Sequence, residues 1–200
     1  MRTAVDYSEQ KPHLIDEVIL ERRAIIPEIS EYLHSTIKQL RPLKYIIDDV
    51  FNSEEVFELL NKSLPEGPIA GQKLFFITDI IRLCTLFYNM KKNKKMKVQI
   101  EIVTTDRCRI FHEDYYRQRL LCTYLGPGTE WLDHSNVNRD ALGKGCNENI
   151  VKDFSKINRS QEFEVILLKG VKYAQERSVI HRSPPIEKDK RTRVLLKIDE

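Results

Sequence analysis

The sequence predicts an α+β protein in which a double-stranded β-helix, a jelly roll, occupies the C-terminal half and helices from the N-terminal half cover it. Three observations carry this reading. Residues 1–95 hold apolar side chains at three- and four-residue intervals, residues 96–200 hold short β-rich runs broken by Gly, Pro, Asn and Asp, and 200 residues at 41% hydrophobic content suffice for one core. That length favours a single domain, residues 1–200, with 1–95 as mainly helical cover and 96–200 as the core. Short strands drawn from distant parts of a chain must close on one another, because an isolated sheet leaves edges and one apolar face in water. A cupin-like double-sheet roll removes both problems.

From Leu14 to Leu40, the residues Leu14, Ile15, Val18, Ile19, Ile25, Ile26, Ile29, Leu33 and Ile37 form a helical stripe, which Pro27 bends or splits. Ser53 followed by two glutamates opens a short helix that stops near Pro65 and Gly67. Lys73 to Met90 is apolar almost all round, which predicts a helix buried against a sheet. The lysines between Lys91 and Lys97 read as a solvated connector. After them come the strand-like runs MKVQIEIVTT, RLLCTYL, FEVILLKG and RVLLKID. In the first of these, Val98, Ile100 and Ile102 alternate with Gln99, Glu101 and Val103, so one face is apolar and the other mostly polar. In the last, Val194, Leu196 and Ile198 form the apolar face that the helices would cover.

Composition excludes some classes of function. The net charge of +3 comes from 33 basic against 30 acidic residues, a mixed surface that does not imply nucleic acid. No run of 18 apolar residues marks a membrane span, and the start MRTAVDYSEQKPH lacks the organisation of a signal peptide, so a soluble, cytoplasmic protein is expected. Cys84, Cys108, Cys122 and Cys146 fit neither a zinc knuckle nor a disulfide framework; buried free thiols are expected, with Cys108 and Cys122 able to approach the site described next. His13, His34 and His134 have no partner pattern and read as surface residues.

His112 and Asp114 stand at spacing i, i+2, and on a strand they would point to the same side. His181, just before the final strand, supplies a second imidazole. Two neutral imidazoles and one carboxylate give a divalent metal three donors and leave open positions, the arrangement of non-haem Fe(II) oxygenases. Arg191 and Arg193 follow, and Arg193 lies more securely inside the strand. An inward guanidinium in a partly dry space needs a carboxylate partner, and 2-oxoglutarate would provide one. The turn Gly126-Pro127-Gly128 permits positive φ and close backbone approach, and it places Glu130 and Trp131 at the cavity mouth.

The segments FHEDYYRQRLLCTYLGPGTEWL, VILLKG and HRSPP with RVLLKID closely resemble the family catalogued as domain of unknown function 1826. More loosely, the chain is similar to prolyl-hydroxylase-like Fe(II)/2-oxoglutarate oxygenases, in which HxD is followed by a strand ending in Tyr-Leu, here Tyr124 and Leu125. The resemblance implies a metal site at His112, Asp114 and His181, with Arg193, Tyr124 and Arg182 as the cofactor-binding set. It also implies a small residue where this chain has Leu195, which shares the parity of Arg193 and stands in the co-substrate's space. It further implies a link to metallochaperone GTPases of the zinc-responsive kind. Two functions follow: an Fe(II)/2-oxoglutarate-dependent dioxygenase acting on a small molecule or protein, and a non-catalytic Zn(II) or other divalent-metal protein of metal homeostasis. A helix-decorated scaffold that has lost its metal is the third.

Overall fold

A computed structural model describes residues 13–15, 18–47, 51–90, 95–173 and 176–200. Its elements are β1 (His13–Ile15), β2 (Val18–Glu21), α1 (Pro27–Thr36), β3 (Leu43–Ile47), α2 (Ser53–Ser63), α3 (Gln72–Met90), β4 (Met96–Val103), β5 (Gln118–Leu125), β6 (Glu130–Leu132), α4 (Asn147–Ile150), β7 (Asn158–Arg159), β8 (Val165–Lys169), β9 (Ile180–Arg182) and β10 (Arg193–Asp199). The protein thus mixes helices with antiparallel sheet. A seven-stranded sheet runs in the order β1-β2-β8-β5-β10-β4-β3, and a three-stranded sheet in the order β7-β6-β9. A bridge at His112 adds a fourth segment beside β9. From β4 onward the chain alternates between the two: β4 in the large sheet, the His112 segment in the small one, β5 large, β6 and β7 small, β8 large, β9 small and β10 large.

Strand parity sorts the side chains into layers. Val194, Leu196 and Ile198 of β10, Val98 and Ile100 of β4, and Leu120, Cys122 and Tyr124 of β5 meet Phe76, Ile80, Leu83 and Phe87 of α3 in the main core. On the opposite face of the large sheet, Leu121, Ile166, Leu168 and Leu195 meet Trp131 and Val179 from the side of the small sheet. The outer face of the small sheet is covered by Val137, Ile150 and Val151, which pack on Phe111, Leu132 and Ile180. The expected alternation in β4 and the helix-facing side of β10 are both present.

The N-terminal segment differs from its sequence reading. Leu14, Ile15, Val18 and Ile19 lie on strands, with β1 paired to β2 and β2 paired to β8. Two apolar pairs separated by two residues satisfy a helical stripe and a short hairpin alike, and the exposed edge of β8 offers the backbone partners that decide between them. The helix begins only at Pro27, whose missing N–H costs nothing in a first turn. β3, unforeseen, pairs with β4, so the described residues of the first half include three strands as well as three helices. Helix α2 is capped by Asn52, one residue before the expected cap, with its side chain accepting from the amides of Glu54 and Glu55. Most of the basic connector, residues 91–94, lies outside the described residues.

Candidate metal centre

His112, Asp114 and His181 converge. Backbone hydrogen bonds in both directions between His112 and His181, each 3.0 Å, hold the two segments side by side. Residues directly opposite in an antiparallel pair share a face, so both imidazoles project together and their ring centres lie 4.8 Å apart. Trp131, the β6 partner of His181, projects the same way into the space between the sheets. The ligand atoms of the three residues all fall within 4.8 Å of one another.

The ring orientations follow from backbone contacts. His112 Nδ1 lies 2.8 Å from the carbonyl of Ile110, and His181 Nδ1 lies 3.2 Å from that of Val179. A carbonyl only accepts, so each neutral ring carries its hydrogen on Nδ1 and keeps the Nε2 lone pair free. Both Nε2 atoms face Asp114, at 3.6 Å from His112 to Oδ1 and 3.3 Å from His181 to Oδ2. Three acceptors aimed at one point repel one another unless a proton or a metal cation stands between them. Burial, with the neighbouring His181 second, holds His112 below the usual histidine range, which favours the neutral, metal-ready form. Burial pushes the Asp114 carboxyl upward, but His181, Arg119 and His112 outweigh it and hold the group below the ordinary carboxylate range. The donor set therefore fits a divalent ion with three protein ligands.

The sequence reading missed the shell behind this cluster. Arg119 on β5 donates to Asp114 Oδ2 and, through Nε at 2.5 Å and Nη2 at 3.1 Å, to Asp199 at the end of β10. Its guanidinium also stands 4.1 Å over the ring of Tyr116. The carboxylate is thus aimed by an arginine that is itself fixed from the opposite strand, as metal-ligating carboxylates require. Beside it, Glu113 accepts from Ser178 Oγ at 2.5 Å and from Arg139 at 3.4 Å, bracing the HxD segment from its other side. A cavity of about 360 Å³ reaches Asp114 and is lined also by Met96, Tyr115, Tyr116, Arg119 and Asp199.

Arg193 projects inward, as its position in the strand predicts. It is fully buried, with hydrogen bonds to the hydroxyls of Ser183 (3.0 Å), Thr123 (3.3 Å) and Thr129 (3.2 Å). Among the described residues no carboxylate pairs with it, and its Nε has no acceptor. Glu101 is taken by Lys197, and Glu130 by Arg159 and Arg182. Burial pushes the Arg193 guanidinium down to about 10, so at neutral pH it remains a buried cation, with no counterion in contact among the described residues. Ser183 follows His181 by two residues, so Arg193 closes on the strand that carries the imidazole, roughly 7 Å further along it.

Four expectations need correction. Tyr124 does not face the inter-sheet space: its parity opposes that of Thr123, and its hydroxyl donates to Asp79 of α3 at 2.6 Å. Arg182, one residue from His181, lies on the outer face of the small sheet, bound to Glu130 at 2.6 Å and 4.4 Å from the Phe111 ring centre. Glu130 and Trp131 are buried rather than at a mouth, because β6 is the central strand of its sheet. The thiols divide: Cys84 and Cys122 are buried, whereas Cys108 and Cys146 are exposed, and none joins the His–Asp cluster. His34 and His134 are exposed as expected, while the side chain of His13 is outside the described residues. Arg191 is exposed and lines a groove of about 810 Å³ with Gly126 and Arg159. In the turn there, Gly126 adopts φ +85°, and a Cβ on Gly128 would sit 1.9 Å from the carbonyl oxygen of Ser160.

Residues 15–199 match the family described as protein of unknown function DUF1826. The chain belongs to that family. The sequence has no match among curated proteins. Among solved structures it is similar to the dioxygenase for auxin oxidation 1 from Arabidopsis thaliana in its 2-oxoglutarate complex, with 12% identity and a TM-score of 0.47, over 79% of this chain and 61% of that one. The chain therefore spans under two thirds of that protein's length. It is also similar to the Fe(II)/α-ketoglutarate-dependent dioxygenase TqaL, with 12% identity, a TM-score of 0.46, and coverage of 92% of this chain and 82% of that one. No helix among the described residues is long and apolar enough to cross a membrane.

Proposed function

We propose that this DUF1826 protein is a jelly-roll, mononuclear metal protein that works as an Fe(II)/2-oxoglutarate-dependent oxygenase. The alternation of eight segments between two antiparallel sheets supports the jelly-roll assignment. One observation carries the function: a cluster of two histidines and one aspartate shares the inter-sheet space with a buried arginine that has no carboxylate partner among the described residues. His112, Asp114 and His181 would hold the metal, which when bound supplies open positions for a co-substrate and dioxygen. Arg193 would take the far carboxylate of 2-oxoglutarate, with Ser183, Thr123 and Thr129 fixing the guanidinium plane. Arg119 aims the Asp114 carboxylate, and the apolar cluster of Leu121, Trp131 and Leu195 excludes water from the intervening space.

A second reading is favoured by Leu195. This residue lies beside Arg193 on the same strand face, is buried, and packs on Trp131 and Leu121. If that packing persists, the same three ligands hold Zn(II) or another divalent ion with no turnover. Titration of the Mn(II)-loaded protein with 2-oxoglutarate, followed by succinate release under Fe(II) and air, separates the two. Binding abolished by Arg193→Gln, together with succinate formation, is the expected result. Full Mn(II) occupancy without any 2-oxoglutarate heat would overturn the oxygenase reading and leave the metal-binding one.

A further inference from the structure

We propose that Tyr116 is a ligand-positioning donor of this site, its phenol hydroxyl bonding an oxygen of an anion bound at the His112–Asp114–His181 cluster. The inference rests on the oxygenase reading above. Tyr116 is 5% exposed, and its ring centre lies 6.4 Å from that of His181. Its hydroxyl is fully enclosed and has no hydrogen-bond partner among the described residues. Buried phenols almost always find one, so an orphaned hydroxyl on a ring beside His181 marks a missing acceptor.

The hydroxyl is not what places the ring. Arg119 stacks on the ring at 4.1 Å, and a Cβ on Gly170 would lie 2.6 and 2.8 Å from two ring carbons. The only room for that close approach is the room glycine leaves. Packing and the guanidinium hold the ring, and the polar atom is carried along without compensation. A phenol carries its proton at neutral pH, so its hydroxyl can donate to a carboxylate or keto oxygen. The cavity of about 360 Å³ is lined by both Asp114 and Tyr116, so it reaches the Tyr116 side of the cluster.

Tyr116→Phe removes the hydroxyl and keeps the ring, so the test uses that variant with two readouts. Calorimetry with Mn(II) and then 2-oxoglutarate is expected to show unchanged Mn(II) affinity and a roughly tenfold weaker 2-oxoglutarate Kd, the weight of one hydrogen bond to a charged group. The metal-free variant is expected to melt at or above the wild-type temperature, because an unsatisfied buried polar group has been deleted. A variant that binds 2-oxoglutarate as tightly as wild type, or one that melts lower without metal, overturns the proposal by showing a merely structural hydroxyl. Wild-type protein that takes Mn(II) but no 2-oxoglutarate instead sinks the oxygenase reading, and the role of Tyr116 falls with it.

Discussion

Replacing His181 with alanine removes one of three donors, and with it the lone pair that the Val179 carbonyl aims at Asp114. Metal content of protein prepared without chelator should drop more than tenfold while the far-UV circular dichroism keeps its shape, since a ligand contributes more to the site than to the core. Retention of metal in that variant would move the site elsewhere. Arg193→Met makes the complementary case. A fully buried guanidinium without a carboxylate is costly, and methionine fills a similar length without charge. The metal-free Arg193→Met protein should therefore be no less stable than wild type in urea, yet fail to bind 2-oxoglutarate. A loss of several kcal/mol, on the order of that for breaking a buried pair, would show that Arg193 has a protein carboxylate as partner after all. At this scale the sequence was informative where chemistry and spacing coincide: His112, Asp114 and His181 could be read from an i, i+2 pattern and one distal imidazole. Arg119 could not, because its partners stand 5 and 80 positions away and only pairing of β5 with β10 brings Asp199 to it. Tyr124 was misplaced for a simpler reason, since a motif match says nothing of strand parity and Thr123, not Tyr124, has the parity of the site.

The elements are tied together by a second charged network on the far side of the large sheet. Arg23, just after β2, makes a two-pronged pair with Asp79 of α3 at 2.7 and 3.0 Å and bonds the Phe163 carbonyl at 2.7 Å, while Tyr124 of β5 donates to the same carboxylate. Burial works to raise the Asp79 carboxyl, but Arg23, Tyr124 and Arg82 together hold it below its ordinary 3.8. A carboxyl depressed in the folded state contributes stability that is complete above its unfolded value and is lost as pH falls through the folded one. Acid unfolding below pH 3.8 should thus show a limb that Asp79→Asn flattens, measured as midpoint denaturant against pH. At neutral pH Asp79→Ala leaves Arg23 buried and unpaired, a loss of about 3–5 kcal/mol. Helix α3 was legible from its apolar run, and β10 from its alternation. β1, β2 and β3 were not, because each is too short to show a period and is made a strand by the edge it joins.

At the scale of the whole molecule the candidate metal site joins parts of the chain that lie far apart in sequence: the His112–Asp114 segment bridged to β9, with Asp114 anchored through Arg119 to the end of β10. No disulfide links the small sheet to the large one among the described residues, where all four thiols are free. Packing of Leu121, Ile166, Leu168 and Leu195 against Trp131 and Val179, with the Arg193–Ser183 and Arg119–Asp114 contacts, holds the two sheets together in the metal-free protein. An ion bound by both imidazoles and Asp114 adds a cross-link that exists only in the native state, so it stabilises by mass action. At about 100 times its dissociation constant that linkage amounts to about 2.7 kcal/mol, which in a domain of this size raises Tm by roughly 5–10 °C. Chelator-stripped protein titrated with Mn(II) or Zn(II) in a thermal scan should show that rise, and His112→Ala or His181→Ala should abolish it. If the rise survives in both variants, the stabilising ion sits at another site. If 2-oxoglutarate then raises Tm further in the Mn(II) protein but not in Arg193→Met, the two ends of the inter-sheet space act on one ligand. The same increment in both would assign that effect to general anion binding.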